Sequence, residues 1–74
     1  MTRYFAIHHP DSPIPGYLRA SGSHREIERG IEAFRAVYAA MGSRIVEVGA
    51  DEVRRIRAMQ RRADQRESIL ERKD

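Results

Sequence analysis

Residues 23–42, SHREIERGIEAFRAVYAAMG, decide how the chain folds. Ser23 followed by Glu26 matches a capping box, in which the Ser23 hydroxyl accepts from the Glu26 amide and the Glu26 carboxylate returns to the Ser23 amide. Ile27, Ile31, Phe34, Tyr38 and Met41 then recur at helical spacing, and Gly42 stands where a helix commonly ends on a left-handed residue. The stretch predicts a helix over 24–41. Gly30, inside it, costs about 1 kcal/mol relative to alanine. It either admits the close approach of a strand or partner helix, or is simply tolerated.

Upstream, Arg3 to His8 is aromatic and β-branched and reads as a strand over 3–8. Pro10, Pro13, Pro15 and Gly16 make residues 9–16 a loop, because proline fixes φ and withholds a donor. Residues 17–20 read as a short return strand. Downstream, Arg44 to Val48 reads as a strand over 44–48, bounded by Gly42 and Gly49. Asp51 and Glu52 suit the positive end of a helix dipole, and a final helix is expected over 51–71. On it Val53, Ile56, Met59, Ala63 and Leu70 share one stripe, with Arg54, Arg57, Arg61 and Arg72 opposite and Arg55, Arg62 and Arg66 beside them. Glu67 falls inside the apolar arc, so the stripe weakens after Ala63.

The expected order is β-β-α-β-α, an α+β single domain over 1–74. A helix between the second and third strands makes those two parallel, and the first strand fits between them, antiparallel to both. The result is a 2-1-3 sheet with helix 24–41 across one face. Alternation along the strands is expected to place Phe5, Ile7, Leu18, Ala20, Val46 and Val48 under that helix. Tyr4, Ala6, His8, Tyr17, Arg19, Ile45 and Glu47 then line the opposite face.

At 74 residues and 8.6 kDa, with 41% hydrophobic and 34% charged residues, the chain builds a modest core under a charged surface. A domain this small buries only about 60% of its unfolded surface. With no cysteine, disulfides, Fe–S clusters, thiolate zinc sites and cysteine nucleophiles are excluded. No stretch approaches the roughly 20 apolar residues of a membrane span. The first ten residues lack the apolar segment of a secretory signal. A soluble, cytoplasmic chain with no membrane partner is expected.

Arginine outnumbers lysine thirteen to one, and the net charge is +3. Between Val53 and Arg62 there are five arginines and no acid. Such a run attracts phosphates or an acidic protein surface, and the attraction weakens with salt. Guanidinium groups suit bidentate phosphate and carboxylate contacts, although GC-rich coding also enriches arginine and alanine. The residues expected to meet such a partner are Arg54, Arg55, Arg57, Arg61, Arg62 and Arg66. A merely solvated helix face is the competing reading, with Asp64 pairing to Arg61.

Tyr4, Tyr17 and Arg19 form a second candidate surface. On an open sheet they would stack bases and contact phosphate. Alternatively the Val53–Ile56–Met59–Ala63 stripe covers them, which the rarity of exposed apolar patches favours. His8, His9, His24 and Asp11 are the only metal or acid–base candidates, and adjacent strand histidines point to opposite faces. No metal, no cofactor and no catalytic residue is expected: the serines (Ser12, Ser21, Ser23, Ser43 and Ser68) lack an elbow motif, and the glycines are scattered.

The sequence therefore suggests a small basic, non-enzymatic binding module that docks its arginine-rich helix on nucleic acid or a nucleoprotein complex. The alternative is an inhibitor or adaptor of phage or mobile-element type that meets an acidic protein surface. Met59, Ile69 and Leu70, or the Tyr4/Tyr17 face, would then be its anchor. A structural homodimer is the third reading, since Ile56, Ala63 and Leu70 recur at seven-residue spacing.

Overall fold

A computed structural model of the chain describes residues 1–71, with the side chains of residues 1–65. Its elements run β1 (Thr2–His8), β2 (Gly16–Ser21), α1 (His24–Ala40), β3 (Arg44–Val48) and α2 (Ala50–Glu71). The strands lie in the order β2-β1-β3, with β1 antiparallel to both neighbours. This is the α+β topology expected from the sequence. β3 has its expected bounds, while the other elements differ from theirs by a residue at one or both ends.

The two ends of α1 carry the capping chemistry that residues 23–42 announce. The Ser23 hydroxyl accepts from the Glu26 amide at 3.2 Å. The Glu26 carboxylate accepts from that same hydroxyl at 3.1 Å, rather than from the Ser23 amide. At the other end Gly42 takes φ 77°, a left-handed conformation that costs glycine little. Its amide donates to the Ala39 carbonyl at 3.0 Å, and the Ser43 amide donates to the Tyr38 carbonyl at 2.8 Å. Together these bonds form a Schellman motif. They turn the chain out of α1 and directly into β3.

β1 is the middle strand, and both of its faces are covered. On one face Phe5 and Ile7 pack with Ile27 and Ile31 of α1 and with Ile45 of β3, while Leu18, Ala20 and Tyr38 lie half-buried against them. On the other, Ala6 is buried, and so are Val53 and Ile56 of α2, which crosses β1 and β2. Ile56 is wholly inaccessible. The helices therefore flank the sheet, and Val53 and Ile56 of the α2 stripe are spent on it.

The expected faces of β3 are reversed. Ile45 and Glu47, not Val46 and Val48, lie on the α1 side, because the register sets Ile45 opposite Ile7 and Glu47 opposite Phe5. Three of five β3 residues are aliphatic, so alternation within the strand alone leaves both phases open. The charge on the α1 face is resolved by Arg3. Its guanidinium donates to both Glu47 oxygens, at 2.6 and 3.0 Å, and to Glu28 of α1 at 2.6 Å. The same guanidinium lies 5.4 Å from the centre of the Phe5 ring. One side chain on β1 thus ties α1 and β3 at the open end of the core.

Two outcomes test this packing. Ile56→Ala should lower unfolding free energy by about 2–5 kcal/mol, as for large-to-small changes in a core. Val37→Ala, at a position 60% exposed, should stay within about 0.5 kcal/mol. Urea denaturation of the two variants reads both values.

The second concerns pH. Hydrogen bonds from Arg3 hold the Glu28 and Glu47 carboxyls below the ordinary carboxylate range. Their contribution is complete above the unfolded value, near 4.5, and is lost as pH falls through the lower folded values. Arg3→Met should flatten that acid limb of a stability–pH curve. An unchanged limb would show that the clamp contributes nothing in solution.

Candidate functional site

α2 starts as Gly49 releases the chain from β3, with Asp51 and Glu52 in its first turn. Its sheet-facing side is set by Val53 and Ile56, so residues between and opposite them must meet solvent. Arg54, Arg55, Arg57, Arg61 and Arg62 are all exposed. Arg54, Arg57 and Arg61 follow one another at i, i+3 and i+7, forming a single ridge. Arg55 and Arg62, seven apart, form a second line. From Arg54 to Arg62 the helix rises about 12 Å. The side chain of Arg66 lies outside the described residues, as do those of Ile69 and Leu70.

Among the described residues, the ion pairs on this helix involve its first turn. Arg54 lies 3.4 Å from Asp51 and Arg55 lies 3.6 Å from Glu52, and both arginine side chains are 76% exposed. Pairs this open contribute little to stability. The expected Arg61–Asp64 pair is not formed. In the pairs that do form, the acid precedes the arginine, the orientation a helix dipole favours, whereas Asp64 follows Arg61. Among the described residues, Arg57, Arg61 and Arg62 have no carboxylate partner. The arrangement is a cationic ridge held rigidly at its base by Val53 and Ile56.

Tyr4 and Tyr17 lie half-buried on the sheet face that α2 crosses, while Arg19 is exposed on edge strand β2. Across the ladder Tyr4 pairs with Arg19 and Tyr17 with Ala6. Gln60 on α2 donates to the Pro15 carbonyl at 3.3 Å, which fixes the helix over the start of β2. Burial of Ile56 also removes it from the seven-residue seam that would join two copies through α2.

A surface that the sequence reading passed over lies on α1. Phe34, Val37 and Met41 are 49%, 60% and 58% exposed. They continue the apolar arc of Ile27 and Ile31 toward β2, where, among the described residues, no element covers it. Between this side of α1 and β2 lies a groove of about 380 Å³, floored by Leu18 and Ala20 and walled by Gly30 and Phe34. A Cβ placed on Gly30 would meet nothing within 4 Å, so no strand of this chain requires the glycine. The sequence does show the signal: from Ala36 to Met41 there is no charged residue. Counting these apolar residues as core hid it.

The structure also brings together His9 and Ser43, which sequence reading treated separately. Nδ1 of His9 lies 2.7 Å from the buried Ser43 hydroxyl. Tyr38 packs edge-on against the same imidazole with ring centres 6.0 Å apart. The contact fastens the exit of β1 to the entrance of β3. Beside it is an open depression of about 280 Å³ lined by His8, His9, Pro10, Gly42 and Arg44. Among the described residues no three His, Asp or Glu side chains converge as a metal site, and no helix is long and apolar enough to cross a membrane.

No protein-family model matches the chain, and searches of curated proteins and of solved structures found no match.

Proposed function

We propose that this protein is a non-enzymatic binding module whose α2 ridge docks on the phosphate backbone of nucleic acid, alone or within a nucleoprotein complex. The observation that carries the reading is the combination on one helix of a buried base and three arginines, Arg57, Arg61 and Arg62, that have no carboxylate partner among the described residues. Anchoring through Val53 and Ile56 limits the ordering cost of binding to the arginine side chains themselves. Each guanidinium that neutralises a phosphate releases condensed counterions, so affinity should depend steeply on salt. The sequence carries no helix-turn-helix or zinc-finger signature of a base-reading helix. The expected binding is therefore tolerant of sequence.

A second reading is favoured by the exposed Phe34–Val37–Met41 strip and the groove beside it. In an inhibitor or adaptor, that strip, rather than Met59 or the Tyr4/Tyr17 face, is the surface available to anchor a protein partner, with the arginines meeting its acidic residues. Exposed apolar surface on a small monomer commonly marks such an interface.

Gel shift and fluorescence titration with mixed-sequence duplex DNA separate these readings. The complex should form at low salt and weaken linearly in log–log salt plots. Replacing Arg57 and Arg61 with Gln should reduce the slope magnitude by about 1.8, corresponding to two lost phosphate contacts. Phe34→Asp should leave duplex binding unchanged. The absence of any complex at low salt rejects the nucleic-acid reading. Loss of duplex binding in Phe34→Asp, with the circular dichroism spectrum intact, moves the interface to α1.

A further inference from the structure

We propose that the depression where β1 ends and β3 begins binds a phosphate-type dianion between Arg44, His8 and His9. The strand register makes the first part of the case. β1 and β3 pair with His8 directly opposite Arg44, so the two side chains leave the same face with Cβ atoms about 5 Å apart. An anion between them would be held by the Arg44 guanidinium and would accept from an imidazole N–H of His8. The other end of β1 shows the contrast: Arg3 takes two carboxylates, Glu28 and Glu47. Among the described residues, no carboxylate takes Arg44.

His9 supplies the second part. Its ring is held by Ser43 at Nδ1 and by the edge-on Tyr38, both fixed by the turn that ends α1. With Nδ1 engaged, Nε2 is the remaining nitrogen. When the Ser43 hydroxyl donates to Nδ1, the neutral ring carries its proton on Nε2 and is a donor there. His9 stands one residue past the end of β1, so the strand alternation expected to part it from His8 does not hold there. Both imidazoles line one depression with a guanidinium able to bond two oxygens at once. Its remaining lining is Pro10 and Gly42, and no carboxylate contributes to it. A guanidinium and two imidazoles around one depression, with no acid in its lining, are donor types that suit a phosphate monoester or inorganic phosphate.

The site is separate from the α2 ridge, and its test is separable too. Backbone and imidazole NMR signals are followed during titration with inorganic phosphate, with ionic strength held constant by chloride. Saturable shifts are expected at His8, His9, Gly42 and Arg44. Arg44→Gln, at an exposed position, should weaken binding by about tenfold or more, in line with loss of a charge-assisted bidentate contact. The Arg57→Gln/Arg61→Gln variant should bind phosphate as the parent does.

A 5′-phosphorylated oligonucleotide serves as the second arm. Shifts with both probes identify the ligand as a nucleic-acid end, and shifts with inorganic phosphate alone identify a free anion. No saturable shift with either probe overturns the proposal. So does an Arg44→Gln variant of unchanged affinity, or a response confined to α2.

Discussion

Burial of both faces of β1 is the constraint on which the molecule depends. A three-stranded sheet has one middle strand, and here Phe5, Ala6 and Ile7 are all inaccessible in succession. A strand with consecutive buried residues needs a layer on each side, so one helix cannot complete the domain. α1 satisfies one side with Ile27 and Ile31, and α2 must satisfy the other with Val53 and Ile56. The orientation of α2 follows from that demand, and Arg54, Arg55, Arg57, Arg61 and Arg62 face water because Val53 and Ile56 do not.

In a domain of this size the loss of either layer would remove a large part of the core, since the surface-to-volume ratio leaves little in reserve. The polar contacts around the core strengthen junctions rather than replace packing. Arg3 joins three elements at one end of the sheet, and the His9–Ser43 contact joins β1 to β3 at the other. Both lie where β1 and β3 would otherwise separate. The Schellman turn at Gly42 sets the entry of β3 and holds Ser43 in reach of His9.

Much of the fold is legible in local chemistry. Ser23 and Gly42 mark the two ends of α1 by backbone needs that only a few residue types meet, and the prolines from 10 to 15 stop β1. The central place of β1 follows from connection rules. What local patterns leave open is the phase of β3, since Ile45, Val46 and Val48 fit either face. Ile7 chooses it across the ladder, and Arg3 makes Glu47 acceptable on the α1 side from forty-four positions away. Of the candidate site, the exposed arginines of α2 are legible because helical spacing separates them from Val53 and Ile56. The α1 strip is not, because an apolar arc in sequence does not reveal how wide a sheet lies beneath it. The His8–His9–Arg44 cluster joins the Gly42 turn, which is legible locally, to the β1–β3 register, which is not.

The helices are offset: α1 lies toward β3 and α2 toward β2. Each outer strand consequently has one sheltered side and one wet side, β2 beneath the groove and β3 at the exposed Val46. Both margins retain backbone groups able to accept a neighbour. Enlargement at either margin would meet a layer already half assembled, while the three residues at the centre of β1 kept their surroundings. The architecture is closed in its middle and extensible at its sides, so growth by accretion would not require the founding core to be rebuilt.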